Sequence, residues 1–240
     1  MSRCAHSAEQ LTVAVDVAAR TEDVISDSGT SASSPRSVAT RERILDVAER
    51  LFAEHGVFAV SNRQVSEAAG QGNNAAVGYH FGTKTDLLRA IVNKHAVPIE
   101  RKRKELLADV EGSTDLRDWI TCLVRASTDH FCEISGPTWH ARFSVQLMAD
   151  PTLRAVVYED VSSSELLQKM LGALTACLPD MPDDVRRARG EMARYVMLHM
   201  CAERERLLAA DEPVETSSWD DFTTDIVDAL VGLWSAPVTR

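Results

Sequence analysis

Residues 70–81 read GQGNNAAVGYHF, a run in which short polar side chains crowd a segment punctuated by glycine. The amides of Gln71, Asn73 and Asn74 are the groups that pair two-pronged with an adenine edge, and the Tyr79 hydroxyl can donate to a phosphate oxygen. That is the chemistry of reading nucleic acid. Catalytic chemistry is not spelled anywhere: there is no nucleophile–base arrangement, no P-loop and no HExxH helix, so the chain is not expected to be an enzyme. Chelation has thin support too. Cys4, Cys122, Cys132, Cys177 and Cys201 are odd in number and lack a CxxC, the pattern of free, mostly buried thiols in a reducing compartment. His130 with Cys132, and His199 with Cys201, form HxC pairs. Helical positions two apart point about 200° from each other, so neither pair grips an ion from one face. A site combining one residue of each pair with His140 is conceivable, but core thiols and satisfied histidines account for these residues better. No metal and no cofactor are expected.

Reading residues need elements that aim them. From Thr40 the pattern is helical: Ile44, Val47, Leu51 and Phe52 form one apolar stripe, Thr40 is the expected N-cap and Gly56 the stop. Ser61 with Gln64 spells a capping box, and Val60 can fold back as a staple. Val65 and Ala68 should face inward on a helix of about two turns that stops at Gly70. Asn73 then caps a second short helix packed through Ala76, Val77 and His80 or Phe81. Small residues at the crossing (Ala68, Ala69, Ala76) and a Gly-bearing turn make a helix-turn-helix over about Ser61 to Phe81. By periodicity alone, any corner between two helices could look similar.

The 240 residues are 45 % apolar, enough to bury a real core. No apolar run is long enough to span a membrane, and the first twenty residues lack the pattern of a secretory signal. A cytoplasmic protein without a membrane partner is expected. The net charge of −10 is unevenly spread. Residues 39–96 hold seven Lys or Arg against six Asp or Glu, so the acidity lies away from the reading segment. Steering toward phosphates should be modest. Residues 1–38, ending in SDSGTSASSPRS, read as a disordered arm. Such an arm either follows the DNA backbone through Arg36 and Arg41 or is a dispensable tail.

Thr40 to Val92, above all YHFGTKTDLL from Tyr79 to Leu88, closely resembles the DNA-binding domain of the TetR family of bacterial repressors. The helix RERILDVAERLFAEHG, the block VSEAAG and the aromatic-His-Phe ending before a Lys-bearing helix fall in the family's order. The resemblance implies an all-α fold. A three-helix DNA-binding domain over 39–96 would be joined by a fourth helix to a ligand-binding and dimerisation domain over 97–236. It implies helices at Asn62–Ala69 and about Asn74–Phe81. It places phosphate contacts at Tyr79 and Lys84, with Arg63 another backbone candidate. Thr83 would cap the fourth helix with Asp86, its free N–H groups facing phosphate. His80 is expected to pack and hydrogen-bond locally more than to read a base. Two departures stand out. Gly78 sits where the family usually has a bulky residue, removing one contact and loosening the helix by up to ~1 kcal/mol. The stretch from Gly70 to Phe81 is also one residue longer than the common spacing, which the turn or cap must absorb.

Beyond Lys84 the sequence reads as helices throughout. The fourth helix is expected to kink at Pro98, with Arg101–Lys104 as a solvated basic face rather than a nucleic-acid patch. Further helices are expected from Ser113 or Thr114 to Glu133, from Pro137 to Ala149, from Pro151 to Cys177, from Pro182 to Ala210, and from Ser217 or Ser218 to Trp234. Phe131, Trp139, Phe143, Gln146, Leu147 and Met192 are candidate contacts for a small hydrophobic effector, each otherwise plain core. Phe222, Ile226, Ala229, Leu230 and Leu233, with Tyr195, Leu198, Ala202 and Leu208, are the candidate homodimer interface, or else pack inward. The resemblance favours a dimer, and two-fold symmetry then implies double-stranded operator DNA of palindromic form. The expected function is a ligand-responsive repressor. An activator or global regulator without a ligand is the alternative, and a helical enzyme or carrier a distant one.

Overall fold

The computed structural model of the chain describes residues 34–73, 75–134, 136–162, 164–216 and 218–239. Two units are distinguished, Met1–Ala39 and Thr40–Arg240. The expected disorder of the arm concerns residues lying, up to position 33, outside the described ones. Among the described residues every regular element is a helix. These are α1 (Pro35–His55), α2 (Asn62–Ala68), α3 (Ala76–Phe81), α4 (Lys84–Val110), α5 (Leu116–Glu133), α6 (His140–Ala149), α7 (Pro151–Ser162), α8 (Glu165–Ala176), α9 (Asp183–Ala209) and α10 (Trp219–Ser235). None of them is long and apolar enough to cross a membrane.

Local chemistry explains most boundaries. Ser61 and Thr83 each form a complete capping box, with Gln64 and Asp86 respectively. Each such box is worth about 1 kcal/mol to its helix. α2 ends in a Schellman turn: Gly70 sits at φ 68°, its N–H donates to the Glu67 carbonyl, and the Gln71 N–H donates to that of Ser66. Asp115, Ser164 and Ser218 cap α5, α8 and α10. The Thr40 cap does not hold, because α1 starts at Pro35 and Thr40 lies inside it. The single helix expected from Pro151 to Cys177 is two, since the run of serines ending at Ser164 offers a competing cap. α4 runs unbroken through Pro98. The basic run on it is not a fully solvated face: Lys102 is buried against Glu133 at 2.5 Å, and Arg103 pairs with Glu100.

Two apolar clusters fill the fold. The first joins Ile44, Ala48 and Phe52 of α1 to Val65, Val77, Leu87 and Ile91, and reaches Phe143 and Leu147 of α6. The second lies among α5, α8, α9 and α10, around Ile120, Val124, Met170, Cys201, Phe222 and Ile226. α5 is the hub of the body, packing on α4, α8 and α10, while α9 packs on α6.

Candidate nucleic-acid interface and effector cavity

The α2–α3 corner closes on small residues. Ala69 and Ala76 are buried beside Val65 and Val77, and the Val77 N–H donates to Ser66 Oγ at 3.4 Å. Ala68, expected inside, is exposed, and Ala69 takes its place. The additional residue is absorbed by the turn. Asn73 Oδ1 accepts from the Ala75 N–H at 2.9 Å, an Asx turn rather than a helix cap, and α3 begins only at Ala76. Asn74 lies outside the described residues, so its expected reading role has no structural counterpart here.

The other reading residues divide by exposure. Tyr79 is 83 % exposed on α3, with its ring edge-on to that of the half-buried His80. Gly78 is exposed and nothing lies near where a Cβ would stand, so it leaves the neighbouring surface bare rather than filling a crevice. Asn73 and Arg63 are exposed, although Arg63 already pairs with Glu67 at 2.8 Å. Gln71 spends one amide proton on the Ala69 carbonyl. Thr83 is exposed but committed to its capping box. Lys84 departs most from expectation. Its Nζ donates to the carbonyls of Val57 and Val60, both at 2.5 Å, and lies 5.3 Å from the centre of the Phe52 ring. Partial burial lowers its pKa. This ammonium pins the loop between α1 and α2, leaving at most one proton to offer outward.

The six residues expected around an effector do not converge. Phe143 and Leu147 are wholly buried in the first cluster, with Phe143 stacked 6.2 Å from Phe52. A Cβ at Gly56 would come 3.5 Å from Gln146, so that side chain also meets the end of α1. Met192 is 52 % exposed on α9, and Trp139 lines a different hollow. Only Phe131 borders the interior space. Two neighbouring cavities of about 590 and 190 Å³ share Ile99, Ser127, His140 and Ser144 as walls. The smaller is bordered by Phe131, Met148, Met197, Leu198 and Cys201, and the larger by Glu100, Arg103 and Glu165. Sequence reasoning missed these walls because serines and a histidine carry no apolar signature.

The expected dimer stripe is also corrected. Phe222, Ile226 and Leu230 face inward against α5, and Ala202 is buried. Leu198 and Leu233 are half-buried, and Ala229 is exposed. What α9 leaves in the open is Met192, Tyr195, His199 and Met200, with Leu208 further along.

Two of the buried polar groups bear on α6. Glu205, 1 % exposed on α9, accepts the N–H groups of Ala141 and Arg142 at 3.1 and 3.0 Å, capping α6 from another helix. Burial raises its pKa while those bonds oppose the rise. Below the head, Glu49, His95 and His130 are buried together. His95 Nδ1 meets His130 Nε2 at 2.9 Å, and His95 stacks on His140 at 4.0 Å. Lys94 Nζ bridges Asp46 and Glu49 at 2.8 Å each. His140 is not the satisfied histidine the sequence suggested, since its buried Nδ1 has no hydrogen-bond partner. Burial is the first cause holding all three imidazoles below their ordinary pKa, His95 at about 3.

A small three-helix head that exposes Tyr79 on a short helix, continued by a long helix into a helical body, is the arrangement of a helix-turn-helix transcription regulator. The model of the bacterial regulatory proteins of the tetR family matches residues 44–91, and that of the tetracyclin repressor-like C-terminal domain matches 121–232. The chain is 26 % identical over 192 residues to the HTH-type transcriptional regulator BetI of Rhizobium meliloti, covering 79 % of this chain and 88 % of that protein. It is 29 % identical over 101 residues to the HTH-type transcriptional repressor AcnR of Corynebacterium efficiens, covering 40 % of this chain and 53 % of that one. Its fold is similar to that of SmeT, the repressor of a Stenotrophomonas maltophilia multidrug efflux pump. There the TM-score is 0.53 and the identity 20 %, over 83 % of this chain and 92 % of the other. The chain belongs to the TetR family, and is a DNA-binding transcription regulator.

Proposed function

We propose that the chain is a homodimeric repressor that binds a palindromic operator and releases it when a small hydrophobic molecule enters the cavity beneath α4. The observation that carries this is the two-sidedness of α6. His140, Ala141, Ser144 and Met148 line the cavities, while Phe143 and Leu147 on the other side sit in the core of the head. A ligand that displaces α6 toward the head disturbs the Phe52–Phe143 stack and the seat of α1. The coupling is then a difference in ligand affinity between two placements of the heads. The mostly apolar wall of the smaller cavity favours an apolar ligand, while the larger one presents Glu100, Arg103 and Glu165. The exposed apolar line of α9 supports pairing of two copies, and AcnR, similar over 101 residues, is a repressor. On the DNA, Tyr79 serves as the backbone anchor, with Arg63 a further backbone contact and Asn73 and Gln71 at the groove.

Electrophoretic mobility shift with the DNA upstream of the chain's own gene tests this directly. Retardation at nanomolar protein, released by a hydrophobic cation or an apolar aromatic, is the expected result. No retardation on any neighbouring promoter would overturn the reading of the head. Retardation that persists at saturating ligand, shown bound by calorimetry, would favour regulation without release.

A further inference from the structure

We propose that Glu49, His95 and His140 form a binding site for a divalent transition-metal ion, of the zinc class, at the junction of head and body. One ligand atom from each of these side chains lies within 4.8 Å of the others. The three come from α1, α4 and α6, so no stretch of sequence spells the site.

The polar atoms are left as an ion would need them. His95 Nε2 and His140 Nδ1 are buried and make no hydrogen bond. His95 Nε2 stands 2.8 Å from Glu49 Oε1, in side chains that are each 4 % exposed. Without an ion the neutral ring can carry its proton on Nε2, toward Glu49; an ion takes that place when the proton moves to Nδ1. Neutral imidazole is the form that ligates. Ligands of a tetrahedral zinc ion stand ~3.4 Å apart on arms of ~2.0–2.2 Å. Binding would open the 2.8 Å pair and draw the third atom, within 4.8 Å, toward that spacing.

The surroundings fit as well. With the ion on Nε2, His95 keeps its proton on Nδ1 and donates it to His130 Nε2 at 2.9 Å. A ligating histidine held from behind in this way is the usual arrangement at metal sites. Lys94 approaches the other carboxylate oxygen, Oε2, and Asp46 offsets its charge. The group thus keeps one net negative charge beside neutral imidazoles. A hollow of about 370 Å³, lined by Glu49, His95 and Trp139, gives the ion an entry path and room for a water as fourth ligand. These residues join head to body, so occupancy will change operator affinity. That consequence rests on the function proposed above, whereas binding of the ion does not.

The test is titration of the full chain with Zn²⁺ alone, against a chromophoric chelator and without DNA. One ion per chain is expected, with affinity falling at least tenfold in Glu49→Gln and in His140→Gln. His199→Gln, on the exposed face of α9, should bind as the native chain does. X-ray absorption of the zinc-loaded native chain needs no variant and should show nitrogen and oxygen neighbours only, two of them imidazole. Absence of stoichiometric binding, sulfur in the first shell, or equal loss in His199→Gln would each overturn the site. Failure of operator binding in a chain that still takes up one ion would count against the function proposed above and leave the site standing.

Discussion

Replacing Lys84 by methionine separates a structural role from a DNA-contacting one. The substitution keeps most of the stem over the Phe52 ring but removes both bonds to the carbonyls of Val57 and Val60. A hydrogen bond to a charged group is worth about 1.5–3 kcal/mol net. Lys84 is only half-buried, so solvent screening reduces that, and relief of the ammonium's partial desolvation offsets more. The balance is a loss of about 1–2 kcal/mol, or a Tm lower by about 2–8 °C for a chain of this size. Operator affinity measured across a salt series supplies the second readout. A lysine that neutralises a phosphate contributes about one to the slope of log affinity against log salt. The expected outcome for Lys84→Met is a lower Tm with an unchanged slope. Tyr79→Phe should show the reverse pattern of consequence: no change in Tm, since the residue is 83 % exposed, and weaker binding to every operator sequence. If Lys84→Met melts like the native chain and its slope falls by about one, the internal anchoring is wrong.

Three further outcomes follow from the same structure. Glu205→Ala strips the cap from α6 and leaves two buried N–H groups without a partner, costing about 2–4 kcal/mol in chemical denaturation; Glu205→Gln keeps one acceptor and should lose less. At pH 8 iodoacetamide should label exposed Cys132 before Cys122 and Cys201, because burial pushes the thiol of Cys122 up to about 11 and that of Cys201 to about 12; mass spectrometry finding Cys201 modified as fast in the folded chain would contradict this. Met200→Glu places a charge on the exposed line of α9 and should shift the sedimentation coefficient from dimer to monomer without lowering helix content, whereas Phe222→Glu, buried against α5, should unfold the chain instead.

What the sequence carried about this fold was set by how local each signal is. Ser61 with Gln64 and Thr83 with Asp86 are complete within four residues, and both capping boxes are found as spelled. Asn73 offered the same chemistry, but the longer turn let its side chain bond two residues on, and the helix start moved to Ala76. Facing is harder to read than helicity. The stripe of Phe222, Ile226 and Leu230 is equally suited to a partner copy and to α5, and only α5's own apolar line decides between them. Buried charge is hardest of all. Glu49 lies beside Arg50 on what reads as the charged face of α1, and its burial depends on Lys94 and His95 more than forty residues away. The same distance hides why α6 matters. Its ten residues divide between cavity and head with no pattern in polarity, since Ser144 and His140 face the space while Phe143 and Leu147 leave it. A regulator needs such a helix in contact with both ends, and its residues are then chosen by two neighbours rather than by one periodic face.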